Sequence, residues 1–549
     1  MTKWPLVRRP ALFLLLLCTL SFFVGLGRSA ITDADEAYYA EAAREMVETG
    51  DWLTPRFNYE DRWQKPVLYY WLTAVTYLVF GIGEWSARCW SALAGVGLVF
   101  ATRSAARSLL RYEDVAWLAG AIVATSYGYF ALARMALPDL PLAFYITVTI
   151  AAIVDGRWAL AGVAAGLGFL VKGPLAVLLP ALVFAAVWWR ERRSLRVRPR
   201  DFAIGALLFL VVGLPWYVAM TMTHGTAYLE SFFVGDNLER FATERFNEFR
   251  SPLFYVPILL GGMLPWTAYI VATVWRPVRD LFRHRLVLTD AQWRLLLWAG
   301  IPLLFFSISI GKQPRYILPV LPPLAILLAH AIVLRADAAH MGNRGAARDL
   351  RAATIATAVV FMLVAALLWR GRALFVTVVP ALGWAAIGAL LVCAGVLRLF
   401  ARPGRVAHLM FVMPACAAVM MLAIQYGMLA GRRPEPVERI AALVQQQHTG
   451  HERVGEYGVF GRNLVFYLGF KQEILGSAAS AAQFVRSPDR VLLVARDADL
   501  ANIESAAGVP LRRLGDVLYF NTANIKLRTL LVPNPATDLQ RVVLVTNKP

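Results

Sequence analysis

A mainly α, many-pass membrane protein with a small α/β domain at its C-terminal end is the fold class that the 549 residues predict. Three observations predict it. First, 58% of the residues are hydrophobic and only 17% charged, against roughly 45–50% and a quarter in soluble domains. Second, the apolar residues come in runs close to the roughly 20 that cross a bilayer, and after about residue 430 these give way to short strand-like stretches. Third, Lys and Arg outnumber Asp and Glu by 55 to 36, a net charge of +19, yet fall in short clusters between the apolar runs. That distribution, with no nucleic-acid-binding signature beside it, argues against nucleic acid as a partner and assigns the charge to membrane topology.

The runs predict spans at about 11–27, 86–105, 115–133, 139–154, 158–171, 174–189, 202–222, 253–275, 295–311, 315–334, 352–369, 373–397 and 407–430, about thirteen in all. Arginine orients them, because Lys and Arg are retained on the cytoplasmic side. Arg8 and Arg9 precede the first span; Arg103, Arg107 and Arg111 follow the second; Arg190, Arg192, Arg193, Arg196, Arg198 and Arg200 follow the sixth. Arg276, Arg279, Arg283 and Arg285 follow the eighth, Arg335, Arg344, Arg348 and Arg351 the tenth, and Arg398, Arg402 and Arg405 the twelfth. A cytoplasmic N-terminus puts every cluster on one side, and an odd number of spans puts the tail after Tyr426 on the other. The basic start and the small residues Gly27, Ser29 and Ala30 also fit a cleaved signal peptide, which leaves the later orientations unchanged.

In this reading residues 1–430 form the membrane domain, with long outer loops at 28–85 and 223–252, and residues 431–549 form the α/β domain. In the first loop AYYAEAAREMVETG and VLYYWLTAVTYLVFG are amphipathic and flank the turn-rich DWLTPRFNYEDRWQKP. A span at about 67–80 would invert every later loop, so that segment is expected to lie along the interface. The second loop mixes aromatic residues with both signs of charge. Beyond 431, RVGEYGV, RVLLVAR and DVLYF read as strands, PVERIAALVQQQ and DLANIESAA as helices. Cys18, Cys89, Cys393 and Cys416 sit in or beside apolar runs, without the spacing of a metal site or a disulfide framework.

Charges at the outer membrane surface carry the functional information, since they are costly to keep near lipid. Asp33, Asp35 and Glu36 follow the first span, with Tyr38, Tyr39 and Glu41 just beyond. Two readings fit them: a helix N-cap, or a carboxylate pair for catalysis. Asp139, next to Arg134 and Pro138, and Glu84, one helical turn before Arg88, carry the same two readings. Arg56, Arg62, Lys65, Lys172, Arg250, Lys312 and Arg315 are outer cations. Snorkelling accounts for Arg62. For Lys172 and Lys312 an outer cation works against the topological trend unless it has a partner, and several such cations converging would make a phosphate site. His224, His448 and His451 are scattered, leaving Glu84 and His224 as the metal candidates. No nucleotide-cradling glycine loop occurs, so no cytoplasmic energy source is implied.

The stretch DEAYYAEAAREMVETGDWLTPRFNYEDRWQKPVLYYWLTA, followed by GEWSAR, RMALPDLPLAF, GFLVKGPLA and GKQPRYILP, resembles the GT-C class of membrane glycosyltransferases that use polyprenyl-phosphate sugars. Within that class it is similar to the bacterial lipid A 4-amino-4-deoxy-L-arabinose transferases, which confer polymyxin resistance. The resemblance implies many transmembrane helices, juxtamembrane helices in the first outer loop, and a periplasmic α/β domain. It also implies that the first-loop acid is Asp35, next to Glu36, that Tyr39 completes a DE-x-x-Y pattern, and that the second acid is Asp139. The lysine of the family's EKP element falls on Lys65, but Gln64 stands where the family has an acid, which puts any metal or proton role for that position in doubt.

The function so implied is transfer of aminoarabinose, with inversion, from undecaprenyl phosphate to a lipid A phosphate at the outer face of the bacterial inner membrane. Asp35, Glu36 and Asp139 are then the catalytic candidates, with Asp35 orienting the acceptor or acting as base. Lys65 and Arg250 lead the phosphate-binding candidates, followed by Tyr39, Arg56, Lys172, Lys312, Arg315 and Tyr316. A divalent metal remains open, and a monomer is expected to suffice. The alternatives are a related transferase acting on a protein or another glycan, and a lipid or sugar transporter. A transporter is expected to place ionisable residues and broken helices near the midplane in repeated halves, whereas these charges cluster at outer ends and no repeat is seen.

Overall fold

The computed structural model describes residues 10–192, 197–243, 250–273, 287–402, 408–521 and 525–548. Of the orienting arginines, Arg8, Arg9, Arg193, Arg196, Arg276, Arg279, Arg283, Arg285 and Arg405 lie outside the described residues. Apolar runs in lipid become helices because their backbone groups must be satisfied internally. Six described helices are long and apolar enough to cross a membrane: Glu84–Leu110, Asp290–Ile308, Pro314–His340, Arg344–Gly371, Pro380–Phe400 and Leu409–Leu429. Three bent pairs bring the number to nine, and Pro10–Phe23, Asp139–Val154 and Trp158–Lys172 are shorter apolar helices. The first of these is part of the core, with Leu14, Leu17 and Phe22 buried.

The bent pairs correct three spans that the hydropathy runs present as straight. Glu113–Ala124 and Tyr127–Ala133 meet at 56°, Pro199–Gly213 and Pro215–His224 at 41°, and Pro252–Gly262 and Thr267–Thr273 at 111°. Proline explains two of them, since Pro215 and Pro265 have no amide to continue the helix. At the remaining break the Thr125 and Ser126 hydroxyls donate to the Ala121 and Ile122 carbonyls, both at 2.6 Å, bending the helix from its own side chains. Two breaks then complete each other: Tyr127 N donates to Leu264 O at 2.9 Å and Trp266 Nε1 to Thr125 Oγ1 at 3.0 Å. No ionisable side chain takes part in these bonds.

Helix Glu84–Leu110 has 27 residues, about 40 Å at 1.5 Å per residue. Its first residue bonds Arg433 and Tyr467 of the C-terminal segment, while Arg103, near its last turn, pairs with Glu113. The bundle therefore has one end that carries the C-terminal domain and another that carries arginines. On the first end lie helix Asp35–Thr49, a hairpin of β1 (Arg56–Phe57) and β2 (Glu60–Asp61), and helix Leu68–Phe80. Tyr69, Tyr70 and Tyr77 bury one face of the last helix, while Val75, Leu78, Val79 and Phe80 are exposed, the apolar outer surface expected of an interfacial helix.

The C-terminal domain is a five-stranded sheet of β3 (Arg453–Tyr457), β4 (Glu473–Leu475), β5 (Val491–Arg496), β6 (Arg512–Tyr519) and β7 (Gln540–Thr546), in the order β4-β3-β5-β7-β6. β3 is parallel to β4 and β5; β7 is antiparallel to β5 and β6. Its central strand β5 is buried on both faces, Val491 to Ala495, as helices cover each side. Helix Pro436–Gln447 matches the amphipathic stretch read from sequence; β4 and β7 were not anticipated. All four cysteines are buried and free.

Candidate active site

The charges at the end of the bundle that carries the C-terminal domain form a continuous arc drawn from six places in the chain. It starts at Asp35, the first residue of helix Asp35–Thr49, whose carboxylate pairs with Arg315. Arg315 Nε lies 3.5 Å from Asp139, and Asp139 pairs with Lys172 at 2.5 Å. The Lys172 ammonium sits 5.2 Å from the centre of the Tyr316 ring, and Tyr316 hydrogen-bonds Arg240. Arg240 pairs with Asp236 at 3.1 Å, and Asp236 closes the arc 3.9 Å from Lys65. Tyr39 and Tyr70, stacked with centroids 5.5 Å apart, are buried beside it.

Local sequence explains the placement. Lys172 ends its helix because Gly173 takes φ +84°, a conformation glycine adopts without strain, and Pro174 follows. A Cβ at Gly173 would meet Phe232 at 2.7 Å, so the same glycine lets the 230–239 segment close over Lys172. In GKQPRY, Gly311 faces the Arg240 carbonyl, with no room for a side chain. Ile310 N bonds Phe241 O at 2.9 Å, clipping that loop to the segment that carries Asp236 and Arg240. The motif glycines thus bring the segment that carries Asp236 and Arg240 onto Lys172 and the GKQPRY loop.

Electrostatics differ along the arc. Burial alone would raise the Asp35 carboxyl, but Arg315, Arg462 and Arg62 outweigh it and hold it below the usual carboxylate range. Burial pulls the Lys65 ammonium down to about 7, with Asp236 opposing. Among the described residues Asp35, Asp139 and Asp236 are faced by Arg62, Lys65, Lys172, Arg240 and Arg315, so cations are in excess there. Such a surplus of partly buried donors suits a phosphate.

Several candidates lie elsewhere. Glu36 is fully buried, and both of its oxygens are engaged. Arg88 reaches them at 2.7 and 3.1 Å, Thr32 N and Oγ1 at 3.0 and 2.9 Å, and Ala136 N at 2.9 Å. It positions its neighbour and has no lone pair turned to a substrate. Arg88 takes Glu36 as its partner, and the expected Glu84–Arg88 pair gives way to Glu84 with Arg433 and Tyr467, at 2.6 and 2.9 Å. Arg56 is held in the hairpin by Asp51 and Asp61. Lys312 turns back to the Ser309 carbonyl, and Arg250 lies over the Phe254 ring at 4.8 Å. His224 Nε2 contacts Thr54 Oγ1 at 2.8 Å, and no group of three or more potential metal ligands occurs among the described residues. The capping readings of Asp35 and Asp139 also fail, as neither helix start has a side-chain cap bond.

Three arc residues escaped the sequence reading. Asp236 and Arg240 stand four apart in DNLER, the spacing of a helical ion pair, and that spacing could have found them. Arg62, assigned to snorkelling, has its guanidinium 3.9 Å from the Tyr38 ring centre and its Nε buried without a hydrogen-bond partner. Nothing in DRWQKP separates Arg62 from an interfacial cation.

With this geometry in hand, relatives can be compared. Residues 11–226 match a family model described as dolichyl-phosphate-mannose-protein mannosyltransferase. The chain is 34% identical over 349 residues to undecaprenyl phosphate-alpha-4-amino-4-deoxy-L-arabinose arabinosyl transferase 1 of Pseudomonas fluorescens; the match spans 60% of this chain and 61% of that protein. The crystal structure of ArnT from Cupriavidus metallidurans bound to undecaprenyl phosphate superposes with a TM-score of 0.74 at 23% identity, covering 98% of this chain and 97% of the other. The oligosaccharyltransferase AglB of Archaeoglobus fulgidus shares the fold more distantly, with a TM-score of 0.53 at 11% identity, over 89% of this chain and 70% of its own.

Proposed function

We propose that this chain, a relative of the undecaprenyl-phosphate aminoarabinose transferases with the same fold, transfers 4-amino-4-deoxy-L-arabinose from undecaprenyl phosphate to a lipid A phosphate. The observation that carries the reading is the arc, a cation-rich, carboxylate-containing site at the end of the bundle that holds the C-terminal domain. Its orientation in this reading is periplasmic, with thirteen passes when helix Leu175–Glu191 is counted beside the six long helices, the three bent pairs and the three short ones. The clustering of Arg103, Arg107 and Arg111 at the opposite end supports that orientation. The arc is complete within one chain, which supports a monomer as the acting unit. Lower negative charge on lipid A gives the cell resistance to polymyxin and other cationic peptides.

In this mechanism a lipid A phosphate oxygen attacks the anomeric carbon as the bond to the undecaprenyl phosphate oxygen breaks. The electron pair leaves with undecaprenyl phosphate. Lys65, Lys172 and Arg240 face that growing charge, and fixed cations stabilise it more in the transition state than in the ground state. A phosphate monoester with a second pKa of about 6 is already ionised at neutral pH, so little base catalysis is required. Asp35, held anionic by its arginines, suits orientation better than proton abstraction.

The alternative transferase reading differs only in the acceptor. Mass spectrometry of lipid A from cells with and without the protein separates the two: a pentosamine increment that depends on the protein supports lipid A, and its absence removes this acceptor. The transporter reading gains broken helices but no ionisable group at the breaks.

A further inference from the structure

The C-terminal domain does more than cover the bundle. Asp33, two residues before Asp35, accepts the backbone amide of Arg462 at 2.9 Å, and the Phe460 and Asn463 amides also bond it. Phe460 sits at φ +59°, which turns successive amides of this tight turn toward one carboxylate, as in an anion-binding nest. Asn463 Nδ2 donates to Ile31 O at 2.8 Å, and Tyr467 OH accepts from Ile31 N at 2.8 Å. The turn therefore grips residues 31–33 and delivers the exposed Arg462 side chain to the start of helix Asp35–Thr49.

There the Arg462 guanidinium lies 5.5 Å from the Tyr38 ring centre, and Arg62 lies 3.9 Å from the same ring. Tyr38 is itself held edge-on by Phe57 of the hairpin, with centroids 4.5 Å apart. Together with Arg315, these are the cations that act on Asp35. Among the described residues neither Arg62 nor Arg462 is in an ion pair, although two guanidinium groups on one ring repel each other. An arrangement of that kind is stabilised by an anion between them.

We infer that Arg62 and Arg462 form the subsite for the acceptor phosphate beside Asp35. The inference rests on the transfer reading above and adds a binding residue from the C-terminal domain. The aromatic ring fixes both guanidinium groups in advance, which keeps the ordering cost of binding low.

The test uses the full-length protein in detergent with the undecaprenyl-phosphate donor and purified lipid A. Arg462→Ala keeps the amide that docks on Asp33, so its thermal midpoint should match the unsubstituted protein. Its KM for lipid A should rise about tenfold or more, the loss expected of a charge-assisted bond, while the donor KM stays within twofold. Arg462→Lys should recover part of the acceptor KM. An unchanged acceptor KM, or a donor KM that rises as much, overturns the inference. If the unsubstituted protein uses another acceptor, the lipid A reading fails by itself; the same comparison run with that acceptor still decides Arg462, supporting it if the acceptor carries phosphate and Arg462→Ala raises its KM, and overturning it otherwise.

Discussion

Two charge clusters meet at neighbouring residues, and they are built on opposite principles. Around Glu36 and Arg88 every group is used: Arg88 spends its remaining donors on the Leu26, Ser29 and Ala30 carbonyls, and Glu36 accepts five hydrogen bonds. Around Asp35, one residue earlier, cations outnumber carboxylates and Arg62 Nε is buried unpaired. A closed network holds the first loop against helix Glu84–Leu110 and the turn at Ala136 that leads into helix Asp139–Val154. An open one presents, among the described residues, more cations than carboxylates. Burial and charge alone do not separate a site from a strut; the count of unmet partners does.

The contrast breaks most sharply by substitution. Arg88→Ala strands the buried Glu36 carboxylate and should cost about 3–5 kcal/mol, seen as a large drop in thermal midpoint and poor recovery of folded protein. Lys65→Ala and Asp35→Asn should leave the midpoint nearly unchanged and cut transfer by roughly a hundredfold or more. A stable, active Arg88→Ala protein would mean that the closed cluster is no strut. Full transfer by Lys65→Ala would remove that lysine from the mechanism.

A smaller effect sharpens the role of Lys65. Its ammonium, buried and lowered to about 7, carries full charge only below that value. The donor phosphodiester keeps constant charge through neutrality, so the sign is set by the lysine. Affinity is highest at acid pH and falls as pH rises through 7, by up to about tenfold per unit where the neutral amine dominates. Donor KM measured from pH 6 to 9 should therefore be flat and then climb, and Lys65→Arg, which stays charged, should remove the climb. A flat profile in the unsubstituted protein would place the charge that holds the donor elsewhere.

Much of this was legible in sequence because membranes impose simple rules. Apolar runs located the helices, and the position of Asp35, Asp139, Lys65, Lys172 and Arg315 between or at the ends of those runs marked most of the arc. The bends at Thr125–Ser126 and Pro265 were not legible, since hydropathy averages over the residues that break a helix. Asp35 and Glu36 could not be told apart either. Adjacent residues on a helix face directions about 100° apart, and only the fold shows that one of these meets Arg88 and the other Arg315. Arg462 lies more than four hundred residues from Asp33, and its docking turn depends on Phe460 adopting a left-handed backbone that no motif announces.

The smallest expected effect concerns Arg250, which sequence position ranks beside Lys65. In the structure its guanidinium lies 4.8 Å from the Phe254 ring centre, next to the arc and outside its chain of ion pairs. A partly exposed cation–π contact of this kind contributes about 1 kcal/mol, so Arg250→Ala should change thermal stability slightly and donor KM by about two- to fivefold at most. Steady-state kinetics beside Lys65→Ala make the comparison. A loss as large as that of Lys65→Ala would mean that Arg250 leaves Phe254 and joins the arc when the donor phosphate binds. The open cluster would then be one that a ligand completes by recruiting a cation, while the closed cluster around Glu36 would still have no vacancy to fill.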